Sequence, residues 1–191
     1  MNNVLLISED YIKSHTNLTD NLTAGYLLPT IKLAQDINLQ NTIGTNLYNR
    51  LRELVNTGDI VDLDNYNYKN LLDNYILPYL TYCVISMVTL PASFKITNAG
   101  VVRTDDEKMN NVPLSEVNLI KEYYNKYANY YKKLLQNYLY DNQSKYKELN
   151  SNDISNIQSN LYSAADSAIF LGGARGKSTD IPTRLRDKYK D

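Results

Sequence analysis

Apolar residues recur at steps of three and four along three stretches of this chain, the period of a helix that buries one face. Leu27, Ile31, Ala34 and Ile37 make the first stripe, and Leu47, Leu51 and Leu54 repeat it after a break at Gly44. The spacing predicts two helices that share one core. Gly44 is expected to end the first in the left-handed conformation, and Thr45 to accept hydrogen bonds from the free N–H groups that open the second. Upstream, Ser8 followed by Glu9 and Asp10 predicts a short capped helix reaching about His15. Pro29 is best accommodated in a first helical turn.

From about Tyr66 to Leu90 the pattern becomes apolar nearly all round. Leu72, Ile76, Tyr79, Cys83 and Met87 form one stripe, widened by Leu71, Tyr75, Leu80, Val84 and Val88, so this helix is expected at the centre of the fold. Pro78 is expected to kink it and Pro91 to close it. The run also carries Thr81, Ser86 and Thr89, and a span needs about 20 apolar residues, which argues against a membrane segment. After Pro113, Ser115 is the expected cap of a last long helix ending near Tyr140. Its seam is expected at Ile120, Tyr124, Tyr127, Tyr131, Leu134 and Tyr138, facing the apolar helix in an antiparallel pair.

Between these helices, Thr57-Gly58-Asp59 marks a turn, and Asp62 to Asn65 a capping region. Phe94 to Pro113 is a long connection in which Asn98-Ala99-Gly100 separates Ile96 from Val101 and Val102, a pattern that fits a small β-hairpin. Beyond Asn142 the composition turns to Ser, Asn, Asp and Lys and the apolar period fades. Two regions are therefore expected: a helical domain over 1–145 and a C-terminal arm over 146–191. The patch Ala168-Ile169-Phe170-Leu171 has few local partners and is expected to dock on another subunit.

The segment Leu27–Leu54, with Leu6-Ile7-Ser8-Glu9-Asp10-Tyr11-Ile12 before it and Phe94–Val102 after it, resembles the small head-to-tail connector proteins of crAss-like tailed phages. The resemblance covers residues 4 to 140 in the order and spacing of elements, and rests on packing and turn signatures rather than on chemistry. It implies a ring, typically twelvefold, set between portal and tail and touching other tail or ring proteins. Its lumen would pass DNA without reading its sequence. In that family loops such as Phe94–Pro113 reach neighbouring subunits or the portal.

Composition adds two features to this picture. The net charge is −1, but Leu171–Asp191 holds six basic and three acidic residues, leaving −4 on the rest. A basic tail on an acidic body suits an acidic neighbour or DNA. Eighteen tyrosines stand beside two phenylalanines and no tryptophan. Two explanations remain open: interface area that stays soluble before assembly, or the codon bias of an AT-rich genome, which would also account for the many asparagines.

Candidate chemistry is thin. Gly172-Gly173-Ala174-Arg175-Gly176-Lys177-Ser178 imitates a phosphate-binding loop, but the position five before Gly176 is Leu171 rather than glycine. One histidine, His15, and one cysteine, Cys83, fall on different helices and supply neither a thiol dyad nor a zinc site. The single cysteine and the lack of a basic stretch leading a long apolar run suit a reducing compartment without export, and the connector resemblance implies assembly in the host bacterial cytoplasm and a place in the virion neck.

The expectation is therefore an all-α protein, a compact helical adaptor bundle with a small β-hairpin insertion and an extended C-terminal arm. It would be no enzyme and need no cofactor or metal. It would act as a structural subunit of the virion neck, a homo-oligomer binding portal and tail proteins and no membrane. Candidate contacts with other subunits or the portal are Ile96, Val101, Val102, Ile169, Phe170, Arg175, Arg184 and Arg186. A rival expectation is a nucleic-acid-binding or scaffolding factor acting through the basic tail.

Overall fold

The computed structural model describes residues 4–18, 24–98, 100–103, 113–150 and 157–161. One compact unit spans Met1–Leu161, and Tyr162–Asp191 forms a second that lies outside the described residues. The first unit is mostly helical: α1 (Glu9–Ser14), α2 (Ala24–Ala34), α3 (Gln40–Ile43), α4 (Thr45–Thr57), α5 (Tyr66–Leu71), α6 (Leu77–Ser93) and α7 (Leu114–Asp141). Two short antiparallel strands, β1 (Phe94–Thr97) and β2 (Gly100–Arg103), follow α6, with Ile96 opposite Val101 and Lys95 opposite Val102.

Local signals account for several boundaries. Ser8 is extended and its hydroxyl accepts from Tyr11 N at 3.1 Å, which opens α1 as expected. Gly58, left-handed at φ 84°, ends α4. Gly44 also has positive φ, 83°, but its ψ of 158° puts it in an extended region open to glycine alone rather than in the left-handed helical one. Pro29 lies well inside α2 rather than in a first turn, and Pro91 lies inside α6, which continues to Ser93. Close to a helix end, the N–H that Pro91 lacks is no barrier to two more residues. Pro113, not Ser115, is the cap of α7, because the Pro113 carbonyl accepts from both Glu116 N and Val117 N.

Two wide π turns rotate the faces that a strict period assigns. The first, Gln35–Leu39, joins α2 to α3. Leu27, Ile31 and Ala34 are fully buried as expected, but the extra residue in the turn swings Ile37 out to 49% exposure and brings Gln35 and Leu39 inside. Gln35 is satisfied there, since its Oε1 accepts from Leu6 N at 2.7 Å and its Nε2 donates to Val4 O. The second π turn, Leu72–Ile76, joins α5 to α6 directly before Pro78. The proline's missing N–H thus falls in the first turn of a new α-helical segment, where it is tolerated.

Helix α6 is the centre, packed against α2 on one side and α7 on another. By length and composition Leu63–Ser93 holds an 18-residue window apolar enough to cross a membrane, but 56% of that window is buried inside the protein. Its polar side chains are satisfied locally: Thr81 bonds back to Leu77 O, Thr89 to Ile85 O, and Ser86 donates across to Lys121 O on α7.

The seam of α7 differs from the expected one by a rotation of about one residue. Val117, Ala128, Leu135 and Leu139 are buried, with Tyr124, Tyr131 and Tyr138 half-buried beside them. Ile120, Tyr127 and Leu134 are exposed at 45%, 39% and 37%. The small Ala128 lets the helices approach, and the rings lie flat at the edge of the seam. Tyr82 stacks on Tyr131 at 5.3 Å, and Tyr75 on Tyr138 at 4.0 Å.

The compact unit continues past the expected boundary at residue 145. Tyr146 is fully buried and Leu161 nearly so. Residues 157–161 are tied to the helix break: Thr45 N donates to Ile157 O at 2.9 Å, Ile157 N to Thr45 Oγ1 at 3.1 Å, and Asn160 N to Thr42 O at 3.1 Å. Gln136 of α7 holds Asn160 O as well. The Thr45 hydroxyl therefore serves this strap and Gln40, rather than capping its own helix as expected. Gly44 makes the approach possible, since a Cβ there would sit 2.8 Å from Ser159 N.

Candidate assembly interface

Seen down its axis, α7 carries apolar residues over a much wider arc than one seam requires. Part of that arc is the α6 contact just described. The remainder is a ridge of Leu119, Ile120, Tyr123, Tyr127, Tyr130 and Leu134, all exposed, with Leu119, Tyr130 and Tyr123 the most open at 64%, 58% and 54%. From Ile120 the ridge steps three, four, three and four residues, so it is a second helical stripe with no partner among the described residues. Lys126 and Lys133 are exposed along one flank of it.

The ridge rings are ordered among themselves. Tyr127 Oη donates to Tyr123 Oη at 3.0 Å, and the two rings meet edge to face at 5.0 Å. That hydrogen bond, with the neighbouring phenols, raises the Tyr127 hydroxyl above its usual value. Next to the ridge, Tyr82, Tyr123, Tyr124 and Tyr127 line an open cleft of about 250 Å³ with His15, Thr16 and Asn17. His15 is held by its own helix, its ring stacked on Tyr11 at 3.9 Å and Nδ1 within 2.9 Å of Tyr11 O.

A second apolar surface lies on α2. Leu5, Leu28, Pro29 and Leu33 form a groove of about 590 Å³, with the Lys32–Asp36 ion pair among its lining. Asp36 also accepts from Tyr48 Oη at 2.8 Å. Burial works to raise its carboxyl, but the bonds from Lys32 and Tyr48 and the charges of Lys32 and Arg52 outweigh it and hold the group below its usual value. A third exposed spot, Val61, Leu63 and Tyr66, spans the short turns before α5 and the first residue of that helix.

Of the residues singled out from sequence, Ile96, Val101 and Val102 are in the β1–β2 pair, where the backbone register alone is described. Ile169, Phe170, Arg175, Arg184 and Arg186 lie outside the described residues, as does the glycine-rich Gly172–Ser178 segment. Cys83 is buried beside Tyr79; burial pushes its thiol up to about 12, and it makes no dyad with His15. Among the described residues no group of three or more His, Cys, Asp or Glu could hold a metal ion. Sequence reasoning assigned Ile120, Tyr127 and Leu134 of the ridge to the core and missed the α2 groove. The signal available was the width of the apolar arc on α7, which exceeds what one partner helix can cover.

No curated protein and no solved structure matches the chain. Residues 39–159, more than half its length, match the profile of a family of unknown function, DUF6712. That match begins inside the first π turn and ends in the strap over Gly44, taking in α6, α7 and the whole ridge, and the chain belongs to that family.

Proposed function

We propose that this chain is a structural subunit of a tailed-phage virion, a ring-forming head-to-tail connector between portal and tail. The observation that carries the reading is the apolar ridge of α7, exposed among the described residues on a helix whose other side is already packed. Such a stripe is at the upper end of what a protein working alone exposes, and it suits a subunit that stays soluble and then assembles. The resemblance of Leu27–Leu54 and its flanking elements to connectors of crAss-like phages supports the same reading and supplies the ring, the portal and the passing DNA.

In this reading the helical unit is a rigid wedge. The hairpin residues Ile96, Val101 and Val102 and the C-terminal arm, with Ile169, Phe170, Arg175, Arg184 and Arg186, reach other subunits or the portal. A heterologous contact repeated by rotation closes the ring, and no catalytic step, cofactor or metal is involved. The test is electron microscopy of the purified protein mixed with the portal protein of the same virus, with mass spectrometry of purified particles. Rings on the portal and recovery from particles are the expected results. Absence of the protein from particles overturns the reading.

The charge of Leu171–Asp191 favours one other reading, a factor that binds nucleic acid through Arg175, Lys177, Arg184 and Arg186. It requires DNA affinity that falls steeply with salt and disappears on deletion of 171–191. The connector reading instead expects that deletion to weaken ring or portal association.

A further inference from the structure

The α7 ridge and the α2 groove are complementary in shape and chemistry, one convex and one concave, both apolar. They lie on different sides of α6, since Tyr82 and Ser86 face α7 while Met87 meets Asn38 beyond α2. We propose that the ridge of one copy of this chain seats in the groove of the next. The assignment rests on the ring reading above and names the two surfaces that would close the ring.

Size supports a second copy as occupant. The three ridge tyrosines, each about half exposed, leave ~300 Å² of ring residue uncovered, at ~200 Å² apiece. With Leu119, Ile120 and Leu134 the ridge comes to on the order of 500 Å². That is as large as the biggest apolar patch on an ordinary monomer, and it is most of the ~800 Å² that each partner contributes to a stable interface. The ridge from Leu119 to Leu134 is ~22 Å long, against ~12 Å for Leu28 to Asp36. Its middle, Tyr123 to Tyr130, therefore fills the groove, and the ends extend past it. An amphipathic helix laid in an apolar groove is a recurrent mode of recognition.

The simplest alternative, ridge on ridge about a two-fold axis, would set two convex surfaces against each other and leave the groove empty. Ridge in groove fills both, and an open run of copies keeps one free ridge at one end and one free groove at the other until the circle closes.

The test uses thiol pairing. Cys83 is the chain's one cysteine and is buried, so introduced thiols are the accessible ones. Tyr130→Cys and Leu33→Cys are prepared separately as full-length proteins, mixed, and oxidised with and without the portal protein. A disulfide-linked dimer from the mixture and none from either variant alone is the expected result. A Tyr130→Cys dimer formed by itself, or bonds from Tyr130→Cys to the portal only, overturns the assignment. So does the lack of any bond in preparations where microscopy shows rings, and in that case the ring reading stands. Lack of rings under every condition overturns both. Tyr130→Asp gives the converse arm: loss of self-association with an unchanged melting temperature is expected, and unimpaired assembly overturns the proposal.

Discussion

The seam and the ridge of α7 use tyrosine in different ways. Near its C-terminus, Asn70 Nδ2 donates to Tyr138 Oη at 3.0 Å, and Tyr138 and Tyr146 share a bond of 3.1 Å. Tyr146 Oη donates to Asn67 O at 3.0 Å. Because Tyr146 spends its one hydrogen on the Asn67 carbonyl, Tyr138 must be the donor between the two phenols, and the chain of bonds has a single direction. Tyr68 meets the Tyr146 ring edge to face at 5.6 Å and its hydroxyl reaches Glu148. In the middle of the same helix, Tyr123, Tyr127 and Tyr130 are exposed, and the Tyr127 hydroxyl bonds to that of Tyr123. The same residue type is a core component on the seam, fixed by both ring and hydroxyl, and surface area held in reserve on the ridge. Codon bias can supply tyrosines, but it cannot sort them this way; the face of the helix decides which use each one has, since Tyr124 and Tyr131 lie half-buried beside the exposed Tyr123 and Tyr130.

The largest effect expected from this contrast is at Tyr146. Tyr146→Ala removes a fully buried ring and leaves the Asn67 carbonyl and the Tyr138 hydroxyl without that partner, a loss of ~3–5 kcal/mol. Urea denaturation measures it, and a loss below ~1 kcal/mol would show that the C-terminal end of the unit is not part of the cooperative core.

Gly44→Ala comes next, at ~2–3 kcal/mol, because a side chain must adopt a φ of 83° and meet Ser159 N at 2.8 Å. Relief of the clash requires the 157–161 strap to lift. Hydrogen exchange should then quicken at the Thr45 and Asn160 amides, which bond across it, while Val84 in α6 stays protected.

How far the sequence foretold this molecule follows from the same elements. Leu47, Leu51 and Leu54, the Ser8 cap and the Gly58 turn are local matters of period and backbone preference, and each is where the pattern puts it. The π turns are different. A single extra residue in a turn is invisible to a period of 3.6, and Ile37 ends outside while Gln35, a polar residue, goes in to hold Leu6. On α7 the apolar arc is so wide that Val117–Ala128–Leu135 and Ile120–Tyr127–Leu134 are both acceptable stripes. Contact with α6 chooses between them, and that information is not in α7. The strap over Gly44 was illegible because its evidence is split between positions 42–45 and 157–160, which no local pattern connects. The ridge was thus present in the sequence as a pattern but read as core.

A smaller effect separates the ring of Tyr146 from its hydroxyl. Tyr146→Phe keeps the packing and removes the bonds, for a loss of ~1–2 kcal/mol near neutral pH. Burial and the neighbouring phenols raise the Tyr146 hydroxyl well above its ordinary value, and ionisation would also remove the proton it donates to the Asn67 carbonyl. A raised group contributes stability that is complete below its unfolded value and declines as pH climbs from there toward the folded value. Above pH ~10 the natural protein therefore loses stability through this residue, whereas the phenylalanine variant has nothing there to ionise. The deficit of Tyr146→Phe should narrow steadily in melts run at rising alkaline pH. A deficit independent of pH would mean that Tyr146 ionises as readily folded as unfolded.

The smallest change in stability is expected on the ridge, and it gives the sharpest form of the comparison. Tyr123→Ser and Tyr130→Ser remove rings that are more than half exposed, so each should stay within ~0.5 kcal/mol of the natural protein in the same urea titration. The Tyr127 hydroxyl loses its partner in Tyr123→Ser but keeps water as a substitute, which is why no penalty for an unsatisfied group arises. Assembly on the portal should nonetheless fail in both. A variant that folds as well as the natural protein and no longer assembles separates the two uses of tyrosine directly. A Tyr130→Ser protein destabilised as much as Tyr146→Ala would instead place the ridge inside the folded unit, and the contrast between seam and ridge would disappear.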